Sequence, residues 1–182
     1  MDQNYWKKGY QDTWESSSKR ENRMIQMIRD NTGRQAEPYG LGAGSTDFIP
    51  GSARSNGSEK GDADLHIKDT NTYVEVTGPL AKSVAASKPL WFRPDKFENA
   101  INSLEKGHDT FLVHHCPAED LWRTVHIDKE VKTRYENGEF SRVHPTIRGR
   151  REEYVEIPAN DRCVKPIDTL YQHLKDDSKE NG

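Results

Sequence analysis

Apolar residues along this chain fall into short alternating or helical runs separated by long polar stretches. Trp6, Tyr10 and Trp14 recur every four residues, and Met24, Ile25 and Ile28 continue a helical stripe. This predicts helix from Tyr5 to about Asp30, with a break at Ser16-Ser17-Ser18 where a serine caps a second segment. Asn31-Thr32-Gly33 supplies the stop, glycine providing a left-handed terminus. Further on, Asp64-Leu65-His66-Ile67 and Tyr73-Val74-Glu75-Val76-Thr77 alternate with a period of two, as half-buried strands do. Asp69-Thr70-Asn71-Thr72 is turn chemistry, so the pair predicts a hairpin.

Gly78-Pro79 closes the second strand, and a polar loop carrying Lys82 and Lys88 runs to Pro94. From Asp95 to about Lys106 the period is helical again, with Phe97, Ile101 and Leu104 on one face and Gly107 as terminator. Thr110 to His114 and Leu121 to Ile127 read as two further strands. Beyond them Tyr154 to Ile157 predicts an edge strand, Ile167 to Leu174 a short last helix, and Lys175 to Gly182 a frayed end. The chain contains no internal repeat.

With 182 residues, 32% hydrophobic and 31% charged, the chain suits one domain with a compact core and a heavily solvated surface. No apolar run approaches the roughly 18 residues of a membrane span, and the N-terminus lacks the apolar stretch of a secretion signal. Two cysteines, Cys116 and Cys163, are too few for a disulfide framework, so the expected compartment is the cytoplasm. A net charge of −3 argues against non-specific coating of nucleic acid, which needs a strongly basic protein. Any nucleic-acid contact must then be made through local positive patches.

The hairpin carries the chemistry. Leu65 and Ile67 share one face with Val74 and Val76, which leaves Asp62, Asp64 and His66 on the other face with Tyr73, Glu75 and Thr77. Burial of the aliphatic face fixes the register and sets Asp64 roughly opposite Glu75 or Thr77, about 5 Å away. Two carboxylates so close repel unless something positive lies between them. A hard divalent cation meets that need, Mg²⁺ being held by one or two carboxylates with waters and a phosphate. A solvated acidic strand face is the bland alternative.

The run from Arg20 to Thr77 resembles the core of PD-(D/E)XK nucleases. The resemblance rests on Glu21 in Lys-Arg-Glu-Asn-Arg on a helix, then Lys60-Gly61-Asp62-Ala63-Asp64-Leu65, then Tyr73-Val74-Glu75-Val76-Thr77. It spans about residues 15–127 of a single domain placed at 1–175. The stretch between Gly40 and Gly61, around Gly44 and Ser45, is similar to the loop before the aspartate in Holliday-junction-resolvase-like and restriction-endonuclease-like members.

The resemblance implies an α/β fold, with a restriction-endonuclease-like core of four to six strands in a central mixed sheet flanked by helices. It also implies an Mg²⁺- or Mn²⁺-dependent endonuclease acting on branched or duplex DNA, as a homodimer. Asp64 and Glu75 would be the metal ligands, with Asp62 the alternative aspartate and Glu21 assisting through a water. One position departs from the family: Thr77 stands where the motif has lysine. Lys60, Lys82, Lys88 and Lys96 are the local replacements, with Lys96 preferred because the first turns of its helix can face the site. Loss of the lysine also favours a second reading, a module that binds nucleic acid or protein on the same fold and does not cut.

Other residues are ambivalent. The basic run holding Arg148, Arg150 and Arg151 suits phosphate oxygens, or forms a solvated loop balanced by Glu152 and Glu153. Gly44, Ser45, Lys60, Lys82 and Lys88 complete the expected nucleic-acid contacts, although the glycine-rich loop reads equally well as plain surface. The Trp6, Tyr10 and Trp14 stripe suits base stacking or packing on the domain or a second subunit. His114, His115, Cys116, His126 and Cys163 lack structural-zinc spacing and read as core or surface.

Overall fold

Strand β3 (Thr72–Thr77) has both faces covered, and the fold is organised around that fact. The computed structural model describes residues 3–40, 63–147 and 149–180, with side chains described from residue 18 to residue 177. Ahead of β3 come α1 (Gln3–Thr32), β1 (Ala36–Pro38) and β2 (Leu65–Ile67). After it come β4 (Leu90–Phe92), α2 (Pro94–Glu105), β5 (Asp109–Cys116), β6 (Leu121–His126) and α3 (Lys129–Glu136). The chain ends with β7 (Ser141–Val143), β8 (Thr146–Ile147), β9 (Arg150–Arg151), β10 (Tyr154–Ile157), β11 (Lys165–Pro166) and α4 (Asp168–Glu180).

Six strands form the central sheet in the order β1-β2-β3-β5-β6-β11. All neighbours are antiparallel except β3 and β5, which run parallel with Glu75 beside Leu112 and Thr77 beside His114. The predicted hairpin is present: Leu65 pairs with Val74 and His66 with Tyr73. Its turn is held by the Thr70 hydroxyl, which donates to Ile67 O and accepts from Thr72 N, while Asp69 takes the positive φ of 63°. A β3–β5 parallel pair needs a crossover, and the segment carrying α2 provides it.

Two cores sandwich the sheet. On one side Met24 and Ile28 of α1 and Leu170 and Leu174 of α4 pack on Leu65, Val74, Phe111 and Val113. On the other, Phe97 and Ile101 of α2 pack with Leu112, Val125 and the inner face of a three-stranded sheet, β4-β10-β7. β5 accordingly has seven consecutive buried residues from Thr110 to Cys116, the pattern of a strand covered on both faces. Pro94 begins α2, where its missing N–H costs nothing, and Asp128 caps α3 by accepting from Val131 N.

Four details differ from expectation. Helix α1 is continuous through Ser16–Ser18, because interior serines weaken a helix only slightly. Tyr154–Ile157 is the central strand of the small sheet, flanked by β4 and β7, and its partner β4 falls in what reads as polar loop. Leu104 is only half-buried. Helix α4 continues to Glu180 through the segment expected to fray, its first half anchored by Leu170, Tyr171 and Leu174. Among the described residues no helix is long and apolar enough to cross a membrane.

Gly78 joins β3 to the following loop at φ 149°, and a Cβ there would collide with the carbonyl of His115. Its own carbonyl accepts from Arg20 Nη1 at 2.9 Å. Gly78→Ala is therefore expected to destabilise the protein by about 2 kcal/mol or more, read as a lower urea midpoint with an unchanged slope.

Candidate active site

The pairing of Leu65 with Val74, continued one step, sets Asp64 opposite Glu75. Both carboxylates project to the face away from the α1 core, yet neither is open to solvent: Asp64 is 7% exposed and Glu75 6%. The sequence places these acids on an open face. In the structure α2 and the small sheet close over that face, so the acids lie in the interior.

Each carboxylate is held. Strand β2 begins only at Leu65, so Val76 N–H has no β2 partner there and donates instead to Asp64 Oδ2 at 2.9 Å. The main chain of Asp64 is fixed as well, its carbonyl accepting from Tyr39 N. Lys96, in the first turn of α2, donates its ammonium to Glu75 Oε2 at 3.0 Å. Asp64 itself lies within hydrogen-bonding reach of Glu75. Of the four replacement lysines, Lys96 reaches the acids and Lys82 and Lys88 lie on the exposed loop after β3. Lys60 lies outside the described residues.

The electrostatics are unbalanced. Burial is the largest influence on Glu75 and the Asp64 charge the next, and together they raise its carboxyl well above the ordinary carboxylate range; Lys96 opposes this only in part. Burial pulls the Lys96 ammonium down, but Glu75 and Asp64 outweigh it, and its pKa ends above the usual lysine value. Two acids and one ammonium leave one net negative charge in a low-dielectric site when all three are ionised. A proton or a bound cation removes it, and the oxygen-only donor pair suits a hard divalent ion. Among the described residues no group of three or more His, Cys, Asp or Glu is placed to ligate a metal; magnesium sites tolerate that by retaining water.

Glu21 is 5% exposed on α1, on the face that also buries Met24 and Ile28. Thr77 is half-buried, two residues beyond Glu75 on the same face of β3. Arg150 and Arg151 are exposed on β9. Asp62, Gly44, Ser45 and Arg148 lie outside the described residues.

Sequence reasoning missed what adjoins the acids. A cleft of about 820 Å³ opens at the end of β3, with Thr77, Lys88, Trp91, Arg93, His114 and Tyr154 among its walls. Arg20 also reaches it, its guanidinium donating to Gly78 O, Pro79 O (2.7 Å) and His115 Nδ1 (3.2 Å). Burial keeps His115 neutral, so its Nε2–H donates to Asp120, which Arg23 also grips through both carboxylate oxygens. This chain of bonds ties α1 to the ends of β3 and β5. The one sequence signal for the cleft is Leu90-Trp91-Phe92-Arg93, whose alternation turns Trp91 and Arg93 outward once Leu90 and Phe92 are buried.

No family model matches the chain, and no curated protein matches it. Among solved structures it is similar to a nuclease from a fusselovirus, with a TM-score of 0.50 and 13% identity over 90% of each chain. At that identity the likeness is one of fold: an α/β nuclease-like core with a mixed six-stranded sheet and four helices.

Removing Lys96 leaves two buried acids without their cation. Lys96→Met is expected to cost about 3 kcal/mol at pH 8, the scale for breaking a buried pair, read by urea denaturation. The sign with pH follows from Glu75. Its folded pKa lies above its unfolded value near 4.3, and without Lys96 it rises further. The native state then retains a proton that the unfolded state has lost, so stability falls as pH climbs through that window. The variant's deficit should accordingly shrink at pH 5.

Proposed function

We propose that this chain is a metal-dependent nuclease that hydrolyses DNA phosphodiester bonds, using a PD-(D/E)XK arrangement in which Lys96 replaces the motif lysine. The observation that carries the reading is the 3.0 Å contact between Lys96 Nζ and Glu75 Oε2, beside Asp64. It brings together glutamate from β3 and lysine from α2 beside the aspartate that precedes β2, although Thr77 occupies the motif position. The viral nuclease that shares the fold supports the same class of activity.

Asp64 and Glu75 are the residues that would hold Mg²⁺ or Mn²⁺, and such an ion supplies a more acidic water and charge for the phosphoryl oxygens. The chain's own residues do the rest. Val76 N–H and Lys96 fix the carboxylates, so their lone pairs are aligned before substrate arrives. Lys96 keeps an ammonium beside the attacking water, where it stabilises developing negative charge. Burial strengthens each of these interactions relative to water. The water forms a bond to phosphorus, the bond from phosphorus to one ester oxygen breaks, and that oxygen departs with the proton.

Thr77 favours a second reading, a module that binds nucleic acid without cutting. The two separate in a cleavage assay on branched, linear and single-stranded DNA with Mg²⁺ or Mn²⁺. Cutting should depend on added metal, fall at least about 1,000-fold in Asp64→Asn or Glu75→Gln, and fall about 100- to 10,000-fold in Lys96→Met. Binding of uncut DNA by wild type, with no cleavage under either metal, would establish the module instead.

Metal binding has its own readout. Mn²⁺ at 100 times its dissociation constant should stabilise the wild type by about 2.7 kcal/mol, seen as a higher melting temperature. Asp64→Asn should abolish that increment.

A further inference from the structure

The cleft beside the acids has a construction that phosphodiester hydrolysis alone does not require. Its volume, about 820 Å³, lies in the range of small-molecule sites, which combine apolar walls with a few placed polar groups. One wall is the outer face of the small sheet, where Trp91 and Tyr154 stack with ring centroids 5.7 Å apart. Trp91 is 38% exposed, one of three large apolar residues so exposed among the described residues. Its indole N–H donates to Glu156, which holds the ring plane in place. Tyr154 is pushed up to about 12 by burial and by Glu152. It therefore stays a neutral ring whose hydroxyl donates to Glu152 and occupies that carboxylate.

The floor of the cleft carries His114. His114 is 5% exposed and lines the cleft, yet among the described residues its Nδ1 has no hydrogen-bond partner. Burial and the nearby arginines push it down to about 3, so the ring is neutral, with one nitrogen a donor and the other an acceptor. His114 lies beside Thr77 in the β3–β5 register, and Thr77 is two residues, about 7 Å, along the strand from Glu75. The charged side chains that line the cleft among the described residues are Arg20, Lys88, Arg93, which is ion-paired with Asp95, and Glu152, so cations outnumber the acid among the lining residues.

A flat ring to stack on, a neutral donor-acceptor at the floor and cations at the margin match one ligand, a nucleotide out of its helix. Paired bases in a duplex offer no free face to Trp91 and no free pairing edge to His114. We propose that the cleft receives an unpaired nucleobase against Trp91 and His114, so that the substrate is single-stranded or locally unpaired nucleic acid threaded past the acids. This deepens the nuclease reading and rests on it for the direction of threading.

The test separates the two. Fluorescence anisotropy in EDTA measures binding of a labelled 15-nucleotide oligothymidylate, the matching oligouridylate and a blunt duplex of equal length, without any cleavage. Single strands are expected to bind more tightly than duplex. Trp91→Ala should weaken single-strand binding about five- to 100-fold, the range for one base–aromatic stack, and leave duplex binding unchanged. Trp91→Phe, which keeps a ring, should stay within about threefold of wild type and controls for folding. Equal affinity for duplex and single strands, or single-strand binding indifferent to Trp91→Ala, overturns the proposal. Preference for oligouridylate over oligothymidylate would keep the cleft and assign it to RNA. Failure of the nuclease reading appears separately, as absence of Mn²⁺-dependent cutting while these affinities are unchanged.

Discussion

At the centre of this molecule two carboxyl groups are buried side by side. Asp64 and Glu75 face each other across the hairpin, and Lys96 donates to Glu75 beside them. Isolated charges in a protein interior cost several kcal/mol each after relaxation, so the surrounding fold must hold the acids in place against their repulsion. It does so with aliphatic burial on the opposite face of the same strands. Val74 and Leu65 are fully packed beneath α1 and α4, and a one-residue slip would expose them and bury the wrong side chains. The energy that fixes the register is hydrophobic, and the acids are carried into position by it.

Around that centre, the acids face one side of the sheet and the α1–α4 core packs on the other. The α1 and α4 side is mainly apolar, with Glu21 buried beside Met24 and Ile28 and with His126 and His173 near Asp109 at its edge. On the α2 side, Phe97, Ala100 and Ile101 anchor the helix, and that anchoring delivers Lys96 to Glu75 from its first turn. The small sheet β4-β10-β7 works in the same way. Leu90, Phe92, Val155 and Ile157 bury its inner face, and alternation turns Trp91, Arg93 and Tyr154 to the outer one. The Arg20 guanidinium joins the sides by holding the carbonyls of Gly78 and Pro79, where β3 gives way to the cleft. Because three N–H vectors of Arg20 are already committed, it acts in the cleft as a fixed charge.

The likeness to a viral nuclease covers 90% of both chains at 13% identity, so what the two share is fold. Within such a fold the identity of the site must come from this chain's own residues. Here Lys96 reaches Glu75 from a helix. A lysine on β3 at position 77 would project beside Glu75 from the strand itself. One from α2 approaches across the gap between helix and sheet, so its position depends on packing of the helix. The site is thereby tied to the second core more closely than the motif spacing suggests.

Local pattern was enough for much of this. Alternation in 64–67 and 73–77 specified the hairpin, the inward face of each strand and the meeting of Asp64 with Glu75, because period-two geometry leaves no other arrangement once the valines are buried. Helical spacing likewise marked α1 and α2, and the run of apolar residues marked β5. Apart from the preference for Lys96, sequence supplied no contact between distant segments. β4 is three residues long and exists because β10, more than 60 residues later, pairs with it; for the same reason Tyr154–Ile157 is interior to its sheet. The burial of the acids, the reach of Lys96 and the cleft between Trp91 and His114 also arise only when α2 and the small sheet pack on β3 and β5. Periodicity fixes which way a side chain points, and only tertiary packing decides what it meets there.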